Sequence, residues 1–368
     1  MTDNKPFTAA AARTGKILAA ALLLPLFFSS AAGAYMWRVH EPMVREAAQT
    51  LCKTAPDSLP CLEFSKYLKF AVFGARMEDG FAQGGSYVLD EQVFNDEDEP
   101  GAYCSMRGTA GGRPYCTHYW FDSGGATGIT MLGATNPDTG AVLGHIFPTR
   151  QWDSTWGRAV KIWNGKVLPY YANGNYPQAY YWLGRVAHLL ADTGVPQHVI
   201  PHSWISMTEL KHRCYELRVD LKYPVFAASG REQGGQASFS KSDPYSLFSD
   251  MRSASREAVG YTPSAKEAPE VLTPERLKLF DELAVAQEGS GGEGKAFYDS
   301  TLDRACGAVF GDALNKEASV LIPQIITRTA SLFEFFYSQA PYLPPELSDS
   351  GAGQAAAADI QQEGAVFE

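Results

Sequence analysis

The stretch LGRVAHLLADTGVPQH at residues 183–198 sets apolar residues at the spacing of one helix face and places ligand-type side chains among them. This periodicity predicts a helix over 176–193, and Pro196 marks the point beyond which that helix cannot continue. Within it, His188 and Asp192 lie four residues apart, so their side chains project from the same face about one turn apart. An imidazole and a carboxylate in this arrangement can chelate one metal ion.

A second pair of ligand-type residues has the same spacing. His212 and Glu216 lie four residues apart in a predicted helix over 204–222, and His198 lies between the two pairs. A single pair of this kind is usually a surface contact between a histidine and an acid. Five such residues within 29 positions, in a chain with seven histidines, favour a multinuclear metal site. His202, four residues after His198, is the alternative to His212 as a ligand.

Apolar residues at helical spacing also occur along much of the remaining chain. They predict helices over 38–51, 64–75, 153–168, 273–288 and 296–338. The last of these contains Gly307 and Pro323, and a break is expected near one of them. Stretches rich in Gly, Asp, Ser and Gln predict long loops over 80–150 and 226–271, and strand patterns are scarce. We therefore expect an all-α fold, a compact bundle of about seven to nine helices with metal ions at their inner ends and long loop insertions.

The N-terminus has the pattern of an export signal. Three basic residues precede an apolar run over 17–28, and small residues follow it. This pattern predicts a signal peptide over 1–34 with cleavage before Tyr35, and hence a secreted or periplasmic protein. The apolar stretch is short for a bilayer span, and an uncleaved anchor is the alternative. Residues 35–340 are expected to form one catalytic domain, and 341–368, with few large apolar residues, a disordered tail.

Export to an oxidising compartment bears on the role of the cysteines. The chain has six cysteines and no CxxC pair, so disulfides are favoured over a thiolate metal site. Short sequence separations favour two pairs and elimination alone leaves a third: Cys52 with Cys61, Cys104 with Cys116, and Cys214 with Cys306.

The charge of the chain argues against a stable nucleic-acid partner. The formal net charge is −10, and removal of residues 1–34 takes away three basic residues and one acid, which makes it −12. No basic patch remains that would bind nucleic acid by counterion release. A cleft lined with metal cations can still bind a phosphodiester, so charge alone does not exclude a nuclease. We expect a monomer.

The metal-binding stretch resembles that of the zinc-dependent phospholipase C family, which shares its fold with the fungal single-strand nucleases. The matching motif is L-G-x3-H-x3-D-x3-P-x-H over 183–198, followed by H-x3-E over 212–216. Upstream, the segment THYWFD at 117–122 is similar to the family's S-H-F-Y-D and contributes His118.

Positions nearer the N-terminus extend the resemblance. Trp37 and His40 look like the family's N-terminal pair, in which the tryptophan offers its backbone amine and carbonyl to a metal ion. Cleavage before Tyr35 would leave two residues ahead of Trp37, so a free amine there requires further trimming. Asp79 matches the family's acid after a helix, and the adjacent Glu78 is the alternative ligand.

The resemblance implies a cluster of two or three zinc ions. The implied ligand sets are Asp79, His118, His188 and Asp192; His198, His212 and Glu216; and Trp37, His40 and the bridging Asp192. In the catalytic step, Asp79 is expected to orient or deprotonate the attacking water.

The same resemblance predicts an enzyme, a secreted zinc-dependent phospholipase C. It would act at a membrane surface on glycerophospholipids and release diacylglycerol and a phosphorylated headgroup. Glu216 supports this prediction, because the nuclease branch usually has aspartate there. The alternatives are a single-strand nuclease of the same fold and a zinc-stabilised secreted binding protein without activity. The aromatic stretch Tyr119-Trp120-Phe121, beside His118, is expected to pack in the core, with contact to a lipid headgroup as its alternative role.

Overall fold

Helices dominate the part of the chain that the structure, a computed structural model, describes: residues 37–54, 56–78, 86–95, 118, 120, 154–200, 207–232, 243–262, 273–289 and 300–339. The α-helices of these residues are α1 (Trp37–Thr54), α2 (Leu59–Glu78), α3 (Thr155–Ile162), α4 (Leu168–Ala172), α5 (Tyr176–Asp192), α6 (Pro196–Val199), α7 (Met207–Glu232), α8 (Pro244–Ala258), α9 (Pro274–Gly289), α10 (Ser300–Phe310) and α11 (Ala313–Gln339). A π-helical turn, Trp163–Val167, joins α3 to α4. The predicted all-α class is confirmed, with more helices than expected because short segments such as α4 and α6 stand alone.

Helices α2 and α5 pack backbone against backbone, because each has a glycine at the point of contact. A Cβ atom at Gly184 of α5 would lie 1.9 Å from the carbonyl oxygen of Ala71, and one at Gly74 of α2 would lie 1.8 Å from that of Tyr181. Real Cβ atoms never approach a carbonyl so closely, so only glycine permits this helix spacing. The contact brings the C-terminal end of α2 beside the second half of α5, where His188 and Asp192 lie.

Replacing Gly184 by alanine should therefore force α2 and α5 apart. We expect the free energy of unfolding to fall by about 3 kcal/mol or more, since overpacking against backbone cannot be relieved by a rotamer change. Gly165→Ala is the matched control, because a Cβ atom there meets nothing within 4 Å. Urea unfolding of the two variants and the wild type measures the difference, and equal midpoints would contradict the close contact.

The long C-terminal helix α11 completes the core. It packs against α1, α7 and α8, and its inner face includes the fully buried Leu321, Ile322 and Phe333. The ring of Phe333 lies 4.2 Å from that of Phe64 in α2, measured between centroids. The helices that carry the ligand-type residues are thus enclosed by apolar packing, which fixes their relative positions.

Two disulfides join helices of this bundle. Cys52–Cys61 links α1 to α2, and Cys214–Cys306 links α7 to α10, so both of these predicted pairs are confirmed. The third predicted pair, Cys104 with Cys116, lies outside the described residues, as do the predicted signal peptide and C-terminal tail. Disulfides of this kind fit an extracellular protein. Among the described helices, none is long and apolar enough to cross a bilayer.

Glu63 forms a buried polar cluster at the other half of α5. Its carboxylate accepts hydrogen bonds from the hydroxyls of Tyr171, at 3.0 Å, and Tyr180, at 2.8 Å. The hydroxyl of Tyr180 also contacts that of Tyr337 in α11. Burial raises the pKa of Glu63 above the ordinary carboxyl value, although the two phenol hydrogen bonds and the charge of Lys66 act against this.

The raised pKa of Glu63 gives a pH dependence of stability with a defined sign. The folded state holds this proton more strongly than the unfolded state, so the group's contribution falls as pH rises from the ordinary carboxyl pKa through the folded-state pKa. A Glu63→Gln variant should gain stability relative to the wild type over that interval. Thermal unfolding from pH 4 to pH 7, with Glu257→Gln on the exposed face of α8 as control, tests this, and a difference that does not change with pH would contradict it.

The structure corrects the expected loop over 80–150 at one point. Residues 86–95 form an antiparallel hairpin in which Ser86–Leu89 pairs with Gln92–Asn95. Asp90 and Glu91 form its two-residue turn, and both have positive φ angles, 49° and 64°. Two-residue turns with positive φ at both positions usually contain Asn or Gly, so Asp90-Glu91 indicates a hairpin only weakly. The fully buried Phe94 anchors the hairpin against rings of α2 and α5, which explains why so short a pair of strands is held.

The expected loop over 226–271 is also wrong in part. Helix α7 continues to Glu232, bending at Lys222 where the backbone leaves helical angles, and Pro224 lies just beyond. Helix α8 then occupies Pro244–Ala258, and the side chain of Asp243 accepts a hydrogen bond from the Ser246 amide at its start. Aspartate at the N-cap followed by proline is typical of the start of a helix. The loop prediction rested on the polar composition of the segment and did not use this pattern.

The predicted break within 296–338 occurs near Gly307, four residues further along the chain, and not at Pro323. Gly311, with a φ angle of 57°, separates α10 from α11, and Pro323 lies inside the continuous α11. A glycine at positive φ ends a helix at little cost, whereas Gly307 lies within α10 at a helical position.

Candidate metal centre

The bundle brings the ligand-type side chains of four helices together in its interior. His188 and Asp192 lie on α5, and His40 lies on α1. His198 lies on α6, and His212 and Glu216 lie on α7. These side chains fall into two groups whose ligand atoms are all within 4.8 Å of one another: His40, His188 and Asp192, and His198, His212 and Glu216. Every one of the six is almost completely shielded from solvent.

Asp192 is the centre of the first group. Its Oδ2 lies 3.3 Å from Nε2 of His188 and 2.7 Å from Nδ1 of His118, and its Oδ1 lies 3.8 Å from Nε2 of His40. The rings of His40 and His188 are stacked, with centroids 3.6 Å apart. The structure thus brings His40 and His188 to the same carboxylate, whereas the implied ligand sets had placed these two histidines on different ions bridged by Asp192.

The orientation of His188 follows from the close packing of α2 and α5. Its Nδ1 lies 2.7 Å from the carbonyl oxygen of Ala75, one residue after Gly74. A carbonyl can only accept a hydrogen bond, so Nδ1 carries the proton and the lone pair of Nε2 is directed towards Asp192. Histidines that bind metals are commonly held in this way, with one ring nitrogen on a backbone carbonyl.

The second group is formed by α7 and the short α6. Nε2 of His212 lies 2.9 Å from Nε2 of His198 and 2.8 Å from Oε1 of Glu216, and the remaining separation, from His198 Nε2 to Glu216 Oε1, is 3.9 Å. His202, the alternative to His212, lies outside the described residues. Among the described residues, the structure groups His212 with His198 and Glu216.

Both groups have the spacing that a tetrahedral metal ion requires. Ligand atoms at about 2.0 to 2.2 Å from such an ion lie about 3.4 Å from each other. The distances from Asp192 to the two histidines of the first group are 3.3 and 3.8 Å, and the separations in the second group run from 2.8 to 3.9 Å, so both sets bracket this value. Each group could hold one metal ion, and His118 lies beside the first group through its contact with Asp192.

The charge of Asp192 is consistent with this role. Burial raises the pKa of its carboxyl, but the neighbouring His188 and His118 act in the opposite direction and hold the pKa well below its ordinary value. Among the described residues, neither carboxylate oxygen accepts a hydrogen bond of good geometry. A buried carboxylate is costly unless a cation lies beside it, and a bound metal ion would supply that cation.

Glu78 has a different environment from the other acids. Arg158 contacts it through two nitrogens, including Nη2 at 3.1 Å from Oε2, and Nη1 of Arg185 lies 3.4 Å from the same oxygen. Burial raises the pKa of Glu78, but the two guanidinium groups lower it to about 2. Its Oε1 lies 3.7 Å from Nε2 of His118. Glu78 is thus paired with two arginines beside the first group.

Two predicted ligands have no described side chain. Asp79, the expected catalytic acid, lies outside the described residues, and Trp37 opens α1 without a described side chain. Trp120 is almost completely buried, which confirms core packing for this residue, whereas Tyr119 and Phe121 lie outside the described residues. Arg158 and Arg185 were missed, although charged residues at apolar positions of a helix pattern are a signal that could have revealed them.

Comparison with protein-family models, curated proteins and solved structures gives no match to this chain. The geometry alone therefore defines its class: an all-α, disulfide-linked protein with two adjacent buried groups that can hold metal ions.

Loss of single ligands should remove metal from one group at a time. We expect the purified protein, dialysed against metal-free buffer, to retain at least about two metal ions per chain, and His188→Ala and His212→Ala to lose about one each. His202→Ala is the control, because His202 is the alternative to His212 as a ligand of the second group. Metal content by mass spectrometry decides, and loss in His202→Ala but not in His212→Ala would reverse the assignment.

Proposed function

We propose that this chain is an exported zinc metallo-phosphodiesterase, and most specifically a phospholipase C. The observation that carries the proposal is the pair of adjacent His/carboxylate groups, separated along the chain by one tight turn. In that turn the Val195 amide donates to the Asp192 carbonyl at 3.0 Å, and the His198 amide donates to the Val195 carbonyl at 2.9 Å. Neighbouring metal sites of this kind suit in-line displacement at phosphorus.

Zinc is the metal that this ligand set favours. The groups offer only imidazole nitrogen and carboxylate oxygen, and three ligands in the second group leave a position for water, as in catalytic zinc sites. The described cysteines are joined in disulfides, so they do not compete for the metal. Zinc bound at these groups would acidify water and balance charge on the phosphoryl oxygens.

The chain's own residues would supply positioning and proton transfer. Asp79, next to the arginine-paired Glu78, would orient the attacking water or take its proton. Glu78 would keep the His118 ring in place, since its Oε1 lies 3.7 Å from Nε2 of that ring. The ion pairs with Arg158 and Arg185 hold Glu78 in a single position at the end of α2.

The choice of phospholipid over nucleic acid rests on charge and on one ligand. The net charge of −10 is opposite in sign to the charge with which proteins usually bind the phosphates of nucleic acids. Glu216 is the acid found in the phospholipase branch of the family that the motif resembles. The protein would act outside the cytoplasm, which the two disulfides support.

A second candidate is a secreted binding protein in which zinc only stabilises the fold. The burial of all six grouped side chains favours it, because structural zinc sites are closed whereas catalytic ones keep an open position. Metal content without hydrolysis would distinguish this candidate from the enzyme.

The direct test uses the purified chain with two substrates. The mature protein is incubated with vesicles of mixed phospholipids and, separately, with single-stranded DNA, before chelation, after chelation and after zinc is restored. Zinc-dependent release of diacylglycerol supports the phospholipase C. Nucleotide release alone would replace it by the single-strand nuclease, and zinc binding without either product would favour the structural protein.

Replacement of Asp79 tests the proposed catalytic acid. Asp79→Asn should lower kcat by about 10²- to 10⁴-fold while much of the metal remains bound, because the amide cannot accept a proton. Asp90→Asn is the matched control, since Asp90 lies in the exposed hairpin turn where asparagine tolerates positive φ. Diacylglycerol release and metal content are measured together, and a fully active Asp79→Asn enzyme would remove Asp79 from the mechanism.

A further inference from the structure

A short main-chain path joins the two metal-binding groups. The amide of Trp120 donates a hydrogen bond to the carbonyl of His198 at 2.9 Å. Trp120 lies two residues after His118, which contacts Asp192 of the first group. The bond therefore ties the segment carrying a ligand of the first group to the residue that contributes a ligand to the second.

Helix α8 contacts both sides of this path. Nε of Arg252 donates to the Trp120 carbonyl at 2.9 Å, and its guanidinium lies 4.8 Å from the centre of the Trp120 ring. Oγ of Ser255 donates to the Thr193 carbonyl at 2.6 Å, and Nε of Arg256 donates to the Val199 carbonyl at 2.8 Å. Three side chains of one helix thus hold the beginning and end of the turn over 193–199 and the segment beside it.

These hydrogen bonds tie the turn and the segment at Trp120 to α8. If the turn shifted alone, the carbonyls of Thr193 and Val199 would lose their donors on α8, and the amide of Trp120 would lose its acceptor, the His198 carbonyl, which is unfavourable inside the protein. Asp192 immediately precedes the turn and His198 lies within it, so the same displacement would disturb a ligand of each group. Ordering one group therefore orders part of the other.

We propose that α8, through Ser255 and Arg252 as positioning residues, couples the two groups, so that a metal ion in one raises the affinity of the other for its own ion. The conformational entropy of the turn is lost when the first ion binds, so the second ion binds to a turn that is already ordered. The proposal rests on the part of the proposed function in which both groups hold zinc. It does not depend on which phosphodiester is cleaved.

The coupling is measured as a ratio of two affinities. Metal-free protein is titrated with zinc against a chelator of known affinity, and the dissociation constant of the first group is compared between the wild type and Glu216→Gln, which weakens the second group without a change of volume. We expect binding to the first group to weaken by about fivefold or more in Glu216→Gln. His212→Ala repeats the comparison with a different ligand removed.

The same ratio of affinities is then measured in two further variants, in each of which one serine of α8 is replaced by alanine. In Ser255→Ala the ratio should fall towards one, because the hydrogen bond to Thr193 is lost. In Ser253→Ala the ratio should stay as in the wild type, since Ser253 is exposed and bonds only to its own helix at Ser249. Arg252→Met should act like Ser255→Ala. Thermal unfolding of each variant with excess zinc shows that it is folded, and Ser255→Ala, which removes one hydroxyl, serves if Arg252→Met does not fold.

Each outcome separates the coupling from the function on which it rests. Two bound zinc ions with a ratio of one in the wild type would overturn the coupling and leave the proposed function standing. An equal loss of the ratio in Ser253→Ala and Ser255→Ala would overturn the role of α8. Absence of zinc binding in the wild type would overturn both the coupling and the metallo-phosphodiesterase.

Discussion

The close contact between α2 and α5 is the constraint on which the rest of the structure depends. Gly74 and Gly184 let the two backbones meet, each facing a carbonyl of the other helix. Because the helices are so close, the Ala75 carbonyl reaches Nδ1 of His188 and directs the other ring nitrogen towards Asp192. A packing requirement in the backbone thus becomes the orientation of a ligand.

The second organising principle is the pairing of buried charge. Asp192 lies among imidazoles, and Glu78 lies between two arginines, so two carboxylates that are close in space have different partners. The arginines satisfy Glu78 within the protein, whereas the position of Asp192 suits an added cation. This difference separates a carboxylate that supports the site from one that can bind metal, although both are fully buried.

Sequence periodicity predicted most helices because their apolar faces repeat every three to four residues. It failed for α8, where a helix with many serines and charges packs through a narrow stripe that includes Leu247 and Met251. It failed also for the hairpin at residues 86–95, whose stability comes from Phe94 packing on α2 and α5 rather than from its own turn. Long-range packing decided both elements, and composition does not record it.

By itself, the sequence determined the helical class and the two ligand pairs, because a separation of four residues on a helix fixes which side chains share a face. Spacing alone did not say which residues join each pair: the family resemblance implied His40 and His198, and the tertiary structure places His40 of α1 with the first pair and His198 with the second. It also revealed the arginines around Glu78 and the contacts of α8 with the turn. These depend on distances between elements far apart along the chain, which local spacing cannot set.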